Sequence, residues 1–126
     1  MANLTIEQRE LSQNQFKTVM TMSRLKQTQT EFEFLKKKIE AFPKDAKTNY
    51  VQYREAIEPC IKNCTKLLPD LSSKVMYDLV SMTLGELKDI PNNVPRSRLR
   101  EESLKCLNSV INDINEFIEP MWFIGY

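Results

Sequence analysis

Leu25-Lys26-Gln27-Thr28-Gln29-Thr30-Glu31-Phe32-Glu33-Phe34-Leu35-Lys36-Lys37-Lys38-Ile39 sets Leu25, Phe32 and Ile39 seven residues apart, with Leu35 and Phe42 as a companion row. Seven residues are two helical turns, so these side chains line one coiled-coil-like seam. Leu4 and Leu11 carry the same step toward the N-terminus. It lapses at Thr18, where Phe16, Val19, Met20 and Met22 put apolar surface at other angles. Thr5-Ile6-Glu7-Gln8 has the form of a capping box, with Gln8 reaching back to the amide of Thr5. One helix over 6–41 is predicted, with a break or curve near Ser23 because Thr21 to Thr30 is poor in strong helix formers.

The same periodicity continues along the chain. Pro43-Lys44-Asp45 forms a turn, and Asp45 is the expected cap of a second helix over 46–68. That helix carries Tyr50, Tyr53, Ile57, Cys60, Cys64 and Leu67 at steps of three and four, and Pro59 must kink it or begin a new segment. A third helix over 71–90, capped by Asp70 or Ser72, presents Val75, Leu79, Met82, Leu87 and Ile90, flanked by Met76, Val80 and Leu84. Ile90-Pro91-Asn92-Asn93-Val94-Pro95 is the most loop-like stretch. A fourth helix over 97–118, capped by Ser97 and stopped by Pro120, carries Leu99, Cys106, Val110, Ile114 and Phe117. The expected fold is all-α, a single antiparallel four-helix bundle over 1–126 with a long first helix. Its expected core is Leu25, Phe32, Leu35, Ile39, Ile57, Ile61, Leu79, Leu87, Val110, Ile114 and Phe117.

Composition narrows the chemistry. The 126 residues include no histidine and two glycines. The commonest general base and zinc ligand, and the glycine-rich loops that cradle phosphates, are therefore missing. Lys and Arg total 18 against 17 Asp and Glu, a formal charge of +1, so no global field draws in nucleic acid or an acidic membrane. No apolar run approaches the ~18 residues of a membrane span, and no signal peptide is visible. Three cysteines, an odd number, fit a reducing compartment, and a cytoplasmic protein is expected.

The residues that carry chemistry each have a plainer reading. Cys60 and Cys64 put two thiols one turn apart, but both lie on the apolar seam of their helix, and Cys106 lies on another. Free cysteine packs there as a small hydrophobe. Glu55 with Glu58, and Asp113 with Glu116 and Glu119, have the spacing of a bundle magnesium site, yet flank the seams as solvated residues do. Lys36-Lys37-Lys38, with Lys44 and Lys47, and Arg96, Arg98 and Arg100 are interleaved with acidic residues. No catalytic, cofactor or metal residue is assigned.

Ile90-Pro91, a short loop and Arg98-Leu99-Arg100 opening an amphipathic helix resemble the closing half of a BAG domain. That family consists of helical-bundle nucleotide-exchange cochaperones of the seventy-kilodalton heat-shock proteins. The likeness rests on spacing. The family's basic pair falls here on Glu101-Glu102 and its chaperone-contacting glutamine on Ser109, so the chain is not assigned to it.

Two stretches want a partner. The tail Met121-Trp122-Phe123-Ile124-Gly125-Tyr126 holds three aromatics, and is expected to fold back over one end of the bundle or to pack against another surface. A first helix of 36 residues would span ~54 Å against ~30 Å for its neighbours. The expected partner-binding residues are thus Leu11, Phe16, Val19, Met20, Trp122, Phe123 and Tyr126. The expected function is a non-catalytic protein-protein interaction module: an adaptor, cochaperone, assembly factor, effector or inhibitor. It would bind another protein or pair as a homodimer. A metal-dependent phosphohydrolase using the acidic pairs and a nucleic-acid-binding bundle are the alternatives.

Overall fold

The computed structural model describes residues 6–43 and 50–122, with side chains at 13, 15–43 and 50–120. Four helices follow one another: α1 (Ile6–Glu40), α2 (Tyr50–Leu67), α3 (Lys74–Asn93) and α4 (Arg96–Trp122), with a 3-10 turn at Leu68–Asp70 after α2. No strand occurs among the described residues. α1 packs on α2 and α4, and α3 packs on α2 and α4, so the helices close a ring.

Cross-helix hydrogen bonds set the directions. Gln29 donates to the Ile111 carbonyl at 3.2 Å and Arg100 to the Glu40 carbonyl at 3.1 Å, so α1 ascends where α4 descends, eleven residues apart on each. Asn63 donates to Glu31 at 3.2 Å, while Thr21 and Ser72 share a 2.7 Å bond at the far end of the same pair. Tyr53 meets Leu87 across α2 and α3, and Cys106 meets Glu86 across α3 and α4. Every neighbouring pair is antiparallel, as short connections favour.

The core draws on all four helices: Leu25, Phe32, Leu35 and Ile39 from α1, Tyr53, Ile57, Cys60 and Cys64 from α2, Val80, Leu84 and Leu87 from α3, and Leu99, Leu107, Val110 and Ile114 from α4. Each fully buried large side chain stabilises the fold by about 1.5–3 kcal/mol relative to exposure. Of the expected core, Ile61, Leu79 and Phe117 are only half-buried, packed against the cluster from its edge. α3 is also rotated from its expected face. Val75 and Met82 stand 70% and 66% exposed, while Met76, Val80 and Thr83 point inward. Val75 with Met76, and Leu79 with Val80, are adjacent apolar pairs, so contact with α2 and α4 selects the buried row. Thr83 enters it because its hydroxyl donates one turn back to the Leu79 carbonyl at 2.8 Å.

Helix boundaries depart from expectation where polar atoms find unforeseen partners. α1 runs unbroken through Ser23. Thr28, fully buried, bonds the Arg24 carbonyl at 2.8 Å, and Thr21 is held by Ser72, so both hydroxyls enter the seam without breaking it. Neither Asp70 nor Ser72 caps α3. Asp70 pairs with Arg24 at 2.9 Å and Ser72 with Thr21, which leaves Ser73 to accept from the Met76 amide at 3.3 Å. α4 begins at Arg96, with the Arg98 amide bonded to the Pro95 carbonyl at 3.0 Å, so Ser97 lies inside its first turn.

Three prolines fail to end or split helices. Pro59 sits inside α2 and Pro120 inside α4, both exposed, and the carbonyls each leaves unpaired, of Glu55 and Glu116, belong to exposed residues within reach of water. Pro91 is different. It lies within α3, which continues to Asn93, and removes the amide that would bond the Leu87 carbonyl. The Tyr53 hydroxyl donates to that carbonyl instead, at 2.7 Å. The expected caps at Thr5 and Asp45, and residues 46–49 of the second expected helix, lie outside the described residues.

Candidate functional site

The α2–α3 turn meets α1 at Thr21 and Arg24, which marks one end of the ring. α1 extends from there through Met20 back to Ile6, about 22 Å of helix past the turn. Phe16 and Val19 in that extension are 64% and 53% exposed, and Met20 is half-buried. The α1–α4 register, carried to the end of α4, sets the backbone of Trp122 level with the Thr18–Met22 turn. The end of α4 and the Val19–Met20 part of α1 therefore lie at the same end of the bundle. Leu11 and Trp122 lie on described helix but their side chains do not, and Phe123 and Tyr126 lie outside the described residues.

The thiols are embedded rather than poised. Cys60 and Cys64 are buried, and Cys60 donates to the Glu31 carbonyl at 3.7 Å. Contact with the Cys60 thiol, and then burial, push the Cys64 thiol far up. Cys106 is half-buried and donates to the Glu86 carboxylate at 3.4 Å; burial, reinforced by that carboxylate, pushes it up to about 12. A nucleophilic or metal-binding thiol needs the opposite shift.

The acidic pairs do not converge. Glu55 and Glu58 are exposed on α2, Asp113, Glu116 and Glu119 lie on α4, and α2 and α4 sit across the ring from each other. Among the described residues no group of three or more acidic or thiol side chains could hold a metal ion. The arginines at the start of α4 are engaged within the chain. Arg96 lies 4.9 Å over the Tyr50 ring, Arg98 pairs with Glu102 at 2.8 Å, and Arg100 caps the C-terminal end of α1. Lys36, Lys37 and Lys38 occupy the last turns of α1, and Lys44 and Lys47 lie outside the described residues.

Comparison with known protein families, curated proteins and solved structures gives no match. No described helix is long and apolar enough to cross a membrane.

Two grooves that the sequence reading missed run along α3. One, of about 640 Å3 against α4, has Met82, Ile90 and Val94 among Glu86, Asp89 and Glu102. The other, of about 560 Å3 against α2, has Ile57 and Ile61 beside Arg54, Lys62 and Lys88. The only trace of the second in the sequence is the three-and-four spacing of Arg54, Ile57, Glu58, Ile61 and Lys62. Lys88 joins them only once α2 and α3 are paired.

Proposed function

We propose that this chain is a non-catalytic protein-interaction module that engages another protein, or a second copy of itself, through the projecting half of α1. The observation that supports this reading is the exposure of Phe16 and Val19, 64% and 53%, on helix that has passed the α2–α3 turn. Large exposed apolar side chains on a helix attract a partner helix, because burying them removes apolar area from water. An adaptor, cochaperone, assembly factor, effector or inhibitor would each use such a surface. A cytoplasmic setting suits the three free thiols.

Sedimentation equilibrium on the full chain tests the self-pairing form. A homodimer that dissociates on Phe16→Ser with Val19→Ser, while the melting temperature of dilute protein holds, supports it. A chain that stays monomeric at high micromolar concentration removes the homodimer and leaves a heterologous partner as the reading to pursue.

A further inference from the structure

The α2/α3 groove joins an apolar floor to a basic rim, contributed by two helices. Arg54, Ile57, Glu58, Ile61 and Lys62 form one stripe of α2, and Lys88 faces them from α3. Ile57 is buried and Ile61 half-buried, while Arg54, Lys62 and Lys88 are exposed. The ion pairs among the described residues, Arg24–Asp70 and Arg98–Glu102, use none of these three cations. Three positive charges against Glu58 leave the groove at net +2.

The adjacent groove has the opposite sign. Glu86, Asp89 and Glu102 against Lys105 make the α3/α4 groove net −2. α3 divides the two, with Lys88 on one side and Glu86 and Asp89 on the other. The chain's overall charge of +1 thus conceals a basic groove beside an acidic one. An apolar floor at Ile57 and Ile61 beneath a net positive rim is complementary to an amphipathic helix whose apolar face is flanked by carboxylates.

We propose that the α2/α3 groove docks an acidic amphipathic helix of a partner protein. Its apolar face lies on Ile57 and Ile61, and its carboxylates meet Arg54, Lys62 and Lys88. This surface is separate from the projecting half of α1, so either can fail without the other.

The probes are two synthetic helical peptides with identical leucine positions, one flanked by glutamates and the other by lysines. Each is titrated into the isotope-labelled full chain and followed by amide chemical shifts. The glutamate peptide should move resonances from Arg54 to Lys62 and around Lys88, with affinity that falls as salt rises. Lys62→Glu with Lys88→Glu should weaken it by about tenfold or more and leave the melting temperature in place, since both side chains are exposed. The lysine peptide should leave these resonances unmoved. No shifts up to millimolar peptide, equal binding of both peptides, or shifts confined to the α3/α4 groove would each overturn the proposal. So would phosphatidylserine vesicles that bind through the same lysines while the glutamate peptide does not, because the groove would then serve a lipid surface.

Discussion

The Tyr53 hydroxyl donates to the Leu87 carbonyl oxygen at 2.7 Å, replacing the amide that Pro91 withholds from α3. Tyr53 has no solvent exposure, nor does Leu87, so water cannot readily take over the bond. A buried carbonyl left without a donor costs about 1–3 kcal/mol. Tyr53→Phe should therefore destabilise the fold by about that much in urea unfolding. In a Pro91→Ala background residue 91 regains its amide, and the same change should cost clearly less. Equal costs in both backgrounds would show that the two side chains act independently.

Alkaline pH should weaken the protein through the same phenol. Burial pushes Tyr53 from its ordinary 10.0 up to about 12. Between those values the unfolded chain has released the proton and the native chain has kept it, so stability is full below about pH 10 and is lost as pH rises through about 12. Cys106, raised from 9.0 to about 12, acts in the same direction from a lower starting pH. Urea midpoints measured across this range should fall, and Tyr53→Phe should flatten the upper part of the decline. A midpoint that holds constant to pH 12 would contradict the burial of both groups.

The thiols should report global unfolding. Cys60 and Cys64 are buried in the core, and Cys106 is held neutral beside Glu86. Labelling by a thiol-specific disulfide reagent should be slow in native protein, complete in denaturant, and accelerated by denaturant in parallel with unfolding. Rapid native labelling of Cys60 or Cys64 would place that thiol at the surface.

Two phenylalanines of α1 should behave oppositely. Phe32 is fully buried, and Phe32→Ala should cost about 3–5 kcal/mol. Phe16 is 64% exposed, and Phe16→Ala should change the stability of dilute protein by less than about 0.5 kcal/mol. Chemical denaturation at low concentration separates the two.

The α1 seam was legible because a seven-residue step has one geometric meaning, and Leu25, Phe32, Leu35 and Ile39 are buried as expected. The fate of Pro91 was not, since it depends on a tyrosine 38 positions earlier in the chain. The buried face of α3 was ambiguous because Val75 and Met76, or Leu79 and Val80, are equally apolar neighbours. Asp70 and Ser72 are good capping residues that α1 engages first through Arg24 and Thr21. The excess length of α1 could be read from the single helix expected over 6–41. The charge of the grooves arises only from the pairing of helices.

The ring also implies an order of assembly. α1 with α2, α2 with α3 and α3 with α4 are neighbours in sequence, whereas α1 with α4 joins distant stretches. Closing a contact between nearby segments restricts less of the chain, so helical hairpins should form rapidly and the α1–α4 seam should close late. Gln29, bonded to the Ile111 carbonyl and to Asn115, belongs to that seam. Gln29→Ala should then speed unfolding while barely changing the folding rate, a signature that stopped-flow kinetics can read directly. The last contacts to form would be the first to release, and the lifetime of the native state would be set along one edge of the bundle.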